Sequence, residues 1–70
     1  MKDNIFGKNL KQLRLEKGLS QRKLGEIFSV SNQTVSTWET GFREPDFDTL
    51  IKIAKYFQVS TDYLLGIEEI

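Results

Sequence analysis

Residues that start or stop helices punctuate this chain so closely that no long element fits between them. Gly18-Leu19-Ser20, Ser29-Val30-Ser31, Gly41, Pro45-Asp46, Val59-Ser60 and Gly66 divide its 70 residues into five short segments. Apolar residues recur within them at helical spacing, and no stretch alternates long enough for a strand. Phe6, Leu10 and Leu13 fall at i, i+4 and i+7, an amphipathic stripe that ends near Gly18, a residue suited to the left-handed C′ position. Ser20 then caps a second helix with Leu24, Ile27 and Phe28 inward. Ser31 caps a third, which runs to Thr40 and stops at Gly41. The break after Phe28 rests on capping chemistry alone, because neither glycine nor proline enforces it. Pro45 disfavours helix at Glu44, so Arg43-Glu44-Pro45 is a loop and Asp46 the cap of a fourth helix. That helix is expected to bury Phe47, Leu50, Ile53, Ala54 and Phe57. Ser60 opens a fifth, with Asp62 favourably placed near the positive end of the helix dipole, and Leu65-Gly66 ends it.

These segments predict one all-α domain over residues 1–70, a compact five-helix bundle with a helix-turn-helix at about residues 20–40. The apolar share of 39% suffices for one small core. The chain has neither cysteine nor histidine. That removes a disulfide framework, a thiolate metal site and the usual general base. No carboxylate pair stands in an evident pocket, so no enzyme, cofactor, metal or small-molecule substrate is expected. No apolar run approaches the ~18 residues of a membrane span, and the start lacks the apolar region of a signal peptide. The expectation is a soluble cytoplasmic protein, nucleoid-associated when bound to DNA.

Net charge is zero, yet its distribution is lopsided. Residues 1–45 carry +3 and residues 46–70 carry −3, which fits one face turned to nucleic acid and one turned away. Ordinary scatter in a small sample would produce the same imbalance. The third helix is the more telling feature. Its outer face holds Asn32, Gln33, Thr34, Ser36 and Thr37, with no Lys or Glu among them. Asn, Ser and Thr are mediocre helix formers, whereas a merely solvated helix favours Lys and Glu. Small hydrogen-bonding side chains on an exposed helix can read base edges in a DNA major groove.

The residues Leu10-Lys-Gln-Leu-Arg14, Gly18-Leu19-Ser20-Gln21, Leu24, Val30-Ser31, Val35-Ser36-Thr37-Trp38-Glu39, Gly41 and Pro45 carry a wider likeness. With Leu50, Ile53-Ala54, Val59-Ser60 and Asp62-Tyr63-Leu64-Leu65-Gly66, they resemble the Cro/repressor (XRE-type) helix-turn-helix family. The likeness spans residues 5–66 with its parts in order. It implies a lambda-repressor-like five-helix DNA-binding domain and a regulator of transcription, by expectation a repressor. Such a regulator binds a pseudo-palindromic operator as a homodimer, with helix 3 in the major groove. Two positions depart from the family pattern: Gly25 where alanine is usual, and Ser29 where glycine is usual in the turn.

Carried over residue by residue, the resemblance assigns base readout to Asn32, Gln33, Thr34 and Thr37. Gln21, Ser36 and Arg43 become phosphate-contacting or positioning residues, Gln21 also bracing Asn32. Arg14 and Glu39 become a structural ion pair. Tyr63, Leu64, Ile67 and Ile70 are the expected dimer contacts, although Leu64 or Leu65 could instead close the core. Trp38 is expected to pack inward rather than stack on bases. Phe42 stands where the family often has Lys or Arg, which weakens a phosphate clamp or lets the ring pack against the sugar-phosphate edge. Lys8, Lys11, Arg22 and Lys23 are read chiefly as solvated charges. The competing function is a protein-interaction module of the same fold, antitoxin-like or polymerase-contacting, marked by an exposed apolar patch away from helix 3.

Overall fold

Hydrogen-bonding side chains fix where four of the five helices begin. In the computed structural model, which describes residues 3–67, the helices are α1 (Ile5–Glu16), α2 (Gln21–Phe28), α3 (Asn32–Thr40), α4 (Phe47–Phe57) and α5 (Thr61–Leu65). Ser20, Ser31, Asp46 and Ser60 sit at N-caps in extended backbone. Each side-chain oxygen accepts from the backbone N–H three residues on, at 2.9–3.0 Å. This satisfies a donor that the helix itself leaves unpaired. The helix ends follow the same local logic. Gly41 and Gly66 close α3 and α5 in the left-handed region.

The α2–α3 turn depends on both departures noted in the sequence. Ser29 takes the left-handed conformation at φ 60°, which costs a residue with a Cβ more than it costs glycine. A Cβ on Gly25 would lie 2.6 Å from the Val30 carbonyl oxygen. Glycine at 25 therefore lets the turn fold back onto α2, and the Val30 N–H reaches the Gly25 carbonyl at 2.8 Å. The turn is short because its backbone can touch the helix it leaves.

One core joins all five helices. Phe6 and Leu10 of α1 meet Leu24 of α2, Val35 and Trp38 of α3, Leu50, Ile53, Ala54 and Phe57 of α4, and Leu64 of α5. Trp38 is buried, so its ring serves packing. Two expectations need correction. Phe47 is 84% exposed rather than buried; periodicity sets a side chain's angle, not whether a helix lies opposite it at that level. Leu64 is fully buried, so it closes the core and is no surface contact.

Asparagine side chains make two further ties. Asn9 Nδ2 donates to the Tyr63 carbonyl at 3.0 Å, holding α5 on α1. Asn4 Nδ2 donates to the Glu39 carbonyl at 2.9 Å, holding the start of α1 against the end of α3. Asn4 is left-handed and makes no cap of its own. Helical periodicity carries no signal for either tie.

Candidate nucleic-acid interface

What α3 presents outward depends on how firmly it is seated, and its seat is a charged one. Arg14 and Glu39 are both nearly buried. Arg14 Nε donates to Glu39 Oε2 at 2.6 Å and its Nη2 to Oε1 at 3.0 Å, a bidentate pair. The third guanidinium nitrogen, Nη1, donates to the Leu19 carbonyl at 2.8 Å. One arginine on α1 thus grips the entry to α2 and the last turn of α3 together. Gln21 completes the arrangement: its Nε2 donates to Glu39 Oε1 at 3.1 Å. The amide of Gln21 engages Glu39, not Asn32 as the resemblance implied. No buried side-chain nitrogen or oxygen lacks a partner among the described residues, which is the condition under which a buried ion pair is tolerable.

With the carboxylate of Glu39 turned inward, α3 shows no acid to solvent. Asn32 and Gln33 are exposed, and Thr34, Ser36 and Thr37 are half-buried. A shallow depression on this side is lined by Ser31, Gln33, Thr34, Thr37, Phe42 and Arg43. It brings together three of the four expected base readers with the expected phosphate contact Arg43. Asn32, Ser36 and Gln21 lie outside it. Three hydroxyls in it are already engaged, for Thr37 Oγ1 donates to the Thr34 carbonyl at 2.7 Å and Thr34 Oγ1 pairs with Ser31 Oγ at 2.9 Å. A threonine whose proton is so used still offers acceptor lone pairs and a methyl group. The Arg43 N–H bonds to the Thr37 carbonyl at 3.2 Å, so the loop after α3 is carried by that helix.

Other charges behave as surface charges. Arg22 and Lys23 both lie 3.8 Å from the Glu26 carboxylate and are well exposed, a geometry of little energetic weight. Among the described residues no group of three or more His, Cys, Asp or Glu side chains is placed to hold a metal ion, and no helix is long and apolar enough to cross a membrane. Of the expected dimer contacts, Ile67 is 68% exposed and Tyr63 half-buried. Leu64 is excluded by its burial, and Ile70 lies outside the described residues.

Two short helices joined by a tight turn, the second braced from behind and polar in front, define a helix-turn-helix domain. The chain belongs to the helix-turn-helix family, whose model matches residues 10–64. It is 42% identical over 65 residues to the HTH-type transcriptional regulator ImmR of Bacillus subtilis, covering 93% of this chain and 51% of ImmR. Over 65 residues it is also 42% identical to the transcriptional activator BcrR of Enterococcus faecalis and 34% identical to Repressor protein C2 of Salmonella phage P22. Those matches again cover 93% of this chain, but only 32% of BcrR and 30% of C2. The chain therefore spans about half the length of ImmR and about a third of the other two.

Among solved structures, the P22 c2 repressor in complex with a synthetic operator superposes with a TM-score of 0.82 at 33% identity, covering 90% of this chain and 96% of that one. A transcriptional regulator from Listeria innocua superposes at 0.84 and 36% identity, covering 93% and 62%. These matches are to regulators of transcription, a class of DNA-binding proteins and not of enzymes.

Proposed function

We propose that this chain is the operator-binding domain of a transcriptional regulator, acting as a homodimer with α3 of each copy in the major groove of a pseudo-palindromic site. The observation that carries the reading is the uncharged polar face of α3, seated by the buried Arg14–Glu39 pair. In this arrangement Gln33 and Asn32 read base edges, for which an amide is suited through adenine N6 and N7. Thr34 and Thr37 supply acceptors and methyl groups beside them. Arg43 binds phosphate, and the free N–H groups at the start of α2, next to Gln21, receive another. Ser36 positions the helix from its half-buried flank. One recognition helix covers too few base pairs to single out a site in a genome, so two copies acting together are expected.

Repression is the expected outcome, in line with the P22 repressor whose fold this chain shares. BcrR, a relative over the same domain, is named an activator, so the domain alone does not set the sign. Selection of binding sites from random DNA, followed by footprinting, tests the reading. Two half-sites about one helical turn apart are expected; protection of a single half-site, or no selected sequence, contradicts it. Exposed Leu15, Phe47 and Ile51 favour a second reading, in which the domain docks a partner protein away from α3. A regulator bound to its operator can use both surfaces.

A further inference from the structure

Phe42 is the part of the interface that these roles leave unused. Its ring is 77% exposed. Single exposed apolar side chains are ordinary on a surface, but this one stands inside the depression that also holds Gln33, Thr34 and Thr37. The Arg43 guanidinium lies over it, 5.8 Å from the ring centroid. The Arg43 N–H is bonded to the Thr37 carbonyl, so the backbone that bears the two side chains is tied to α3. Thr37 Oγ1 gives its proton to the Thr34 carbonyl and Thr34 shares its hydroxyl contact with Ser31, and both threonines keep a methyl group and acceptor lone pairs. The depression therefore presents an amide from Gln33, a mixed wall of hydroxyls and threonine methyls, and an aromatic ring with a cation over it.

We propose that Phe42 is a base-reading residue whose ring covers the 5-methyl group of a thymine in the half-site. The inference rests on α3 lying in the major groove. There the thymine methyl is the apolar group that a base presents, and it distinguishes thymine from cytosine at the same position. The stacked Arg43 holds the ring in place by cation–π attraction and faces the neighbouring phosphate. The loop after α3 thus reads sequence as well as gripping the backbone.

The test uses the tightest duplex recovered by selection from random DNA, remade with uracil in place of each thymine in turn. The native chain should bind one such substitution per half-site about fourfold more weakly, the loss expected for one buried methyl group. Phe42→Ala should bind the parent duplex at least fourfold more weakly and be indifferent to that uracil. Its melting temperature should match the native one, since the ring lies outside the core. Native affinity in Phe42→Ala overturns the proposal. So do uracil losses that are the same in both proteins, which would put the ring on the sugar-phosphate edge instead. Gln33→Ala separates the two levels of the argument: if it too binds every duplex as the native chain does, α3 is not in the groove at all.

Discussion

At the scale of single residues, the arrangement turns on Glu39. Its carboxylate takes two hydrogen bonds from Arg14 and one from Gln21 while almost sealed from solvent. Removing it would leave a buried guanidinium with only the Leu19 carbonyl for company. Glu39→Ala is therefore expected to lower stability by about 3–5 kcal/mol, the usual cost of stranding one buried charge. Replacing both partners by leucine should restore much of that loss, and urea denaturation of the native chain and the two variants would measure it. The pair itself could be placed only through family likeness, since Arg14 and Glu39 are 25 residues apart and no spacing rule joins them. Gln21 shows the limit of that likeness: the residue was named, but its amide turns to Glu39 and not to Asn32.

At the scale of the element, capping chemistry was the most legible signal in the chain. Ser20, Ser31, Asp46 and Ser60 each stand at the cap where their side chains predicted a helix start. Such caps need only a short oxygen and a backbone N–H three residues on, so they are written locally. Ser31→Ala should cost about 0.5–2 kcal/mol and weaken DNA binding as well, because the same oxygen orients Thr34. Thermal melts and titration of the variant with selected DNA check the two effects.

Asp46 adds a pH dependence. Hydrogen bonds from Thr49, foremost that of its side chain, hold the Asp46 carboxyl below the usual carboxylate range. A depressed folded value means that the cap's contribution is complete above the unfolded pKa and is lost as pH falls through the lower folded one. Melts from pH 5 to pH 2 should show the native chain losing its advantage over Asp46→Asn towards the acid end. An advantage independent of pH would contradict this. Helix ends without glycine were less legible: Ser29 and Gln58 both adopt left-handed backbone, and only the fold around them requires it. Phe47 is exposed for a related reason, because inward angle and the presence of a neighbour are separate facts.

At the scale of the whole molecule, neutrality conceals an uneven field. The segment that carries α2, α3 and Arg43 lies in the positive portion, because eight of the ten basic residues precede Pro45 while the carboxylates divide evenly about it. Operator binding by such a domain should depend steeply on salt, and the basic loop residue beside α3 should account for a countable part of that slope. Arg43→Ala is expected to reduce the slope of log affinity against log salt by about 1 per bound copy. The expected dimer contacts were the least legible, since Leu64 turned inward while Ile67, three residues on, is exposed, and the sequence alone does not tell core closure from surface contact there. The helix on which everything converges was legible from its missing charges. The most direct test of its role compares the native chain with Gln33→Ala on a selected duplex and on a scrambled one, at one salt concentration. The variant should lose about 1–3 kcal/mol on the selected duplex and nothing on the scrambled one. Equal losses on both, or none on either, would contradict base readout by α3.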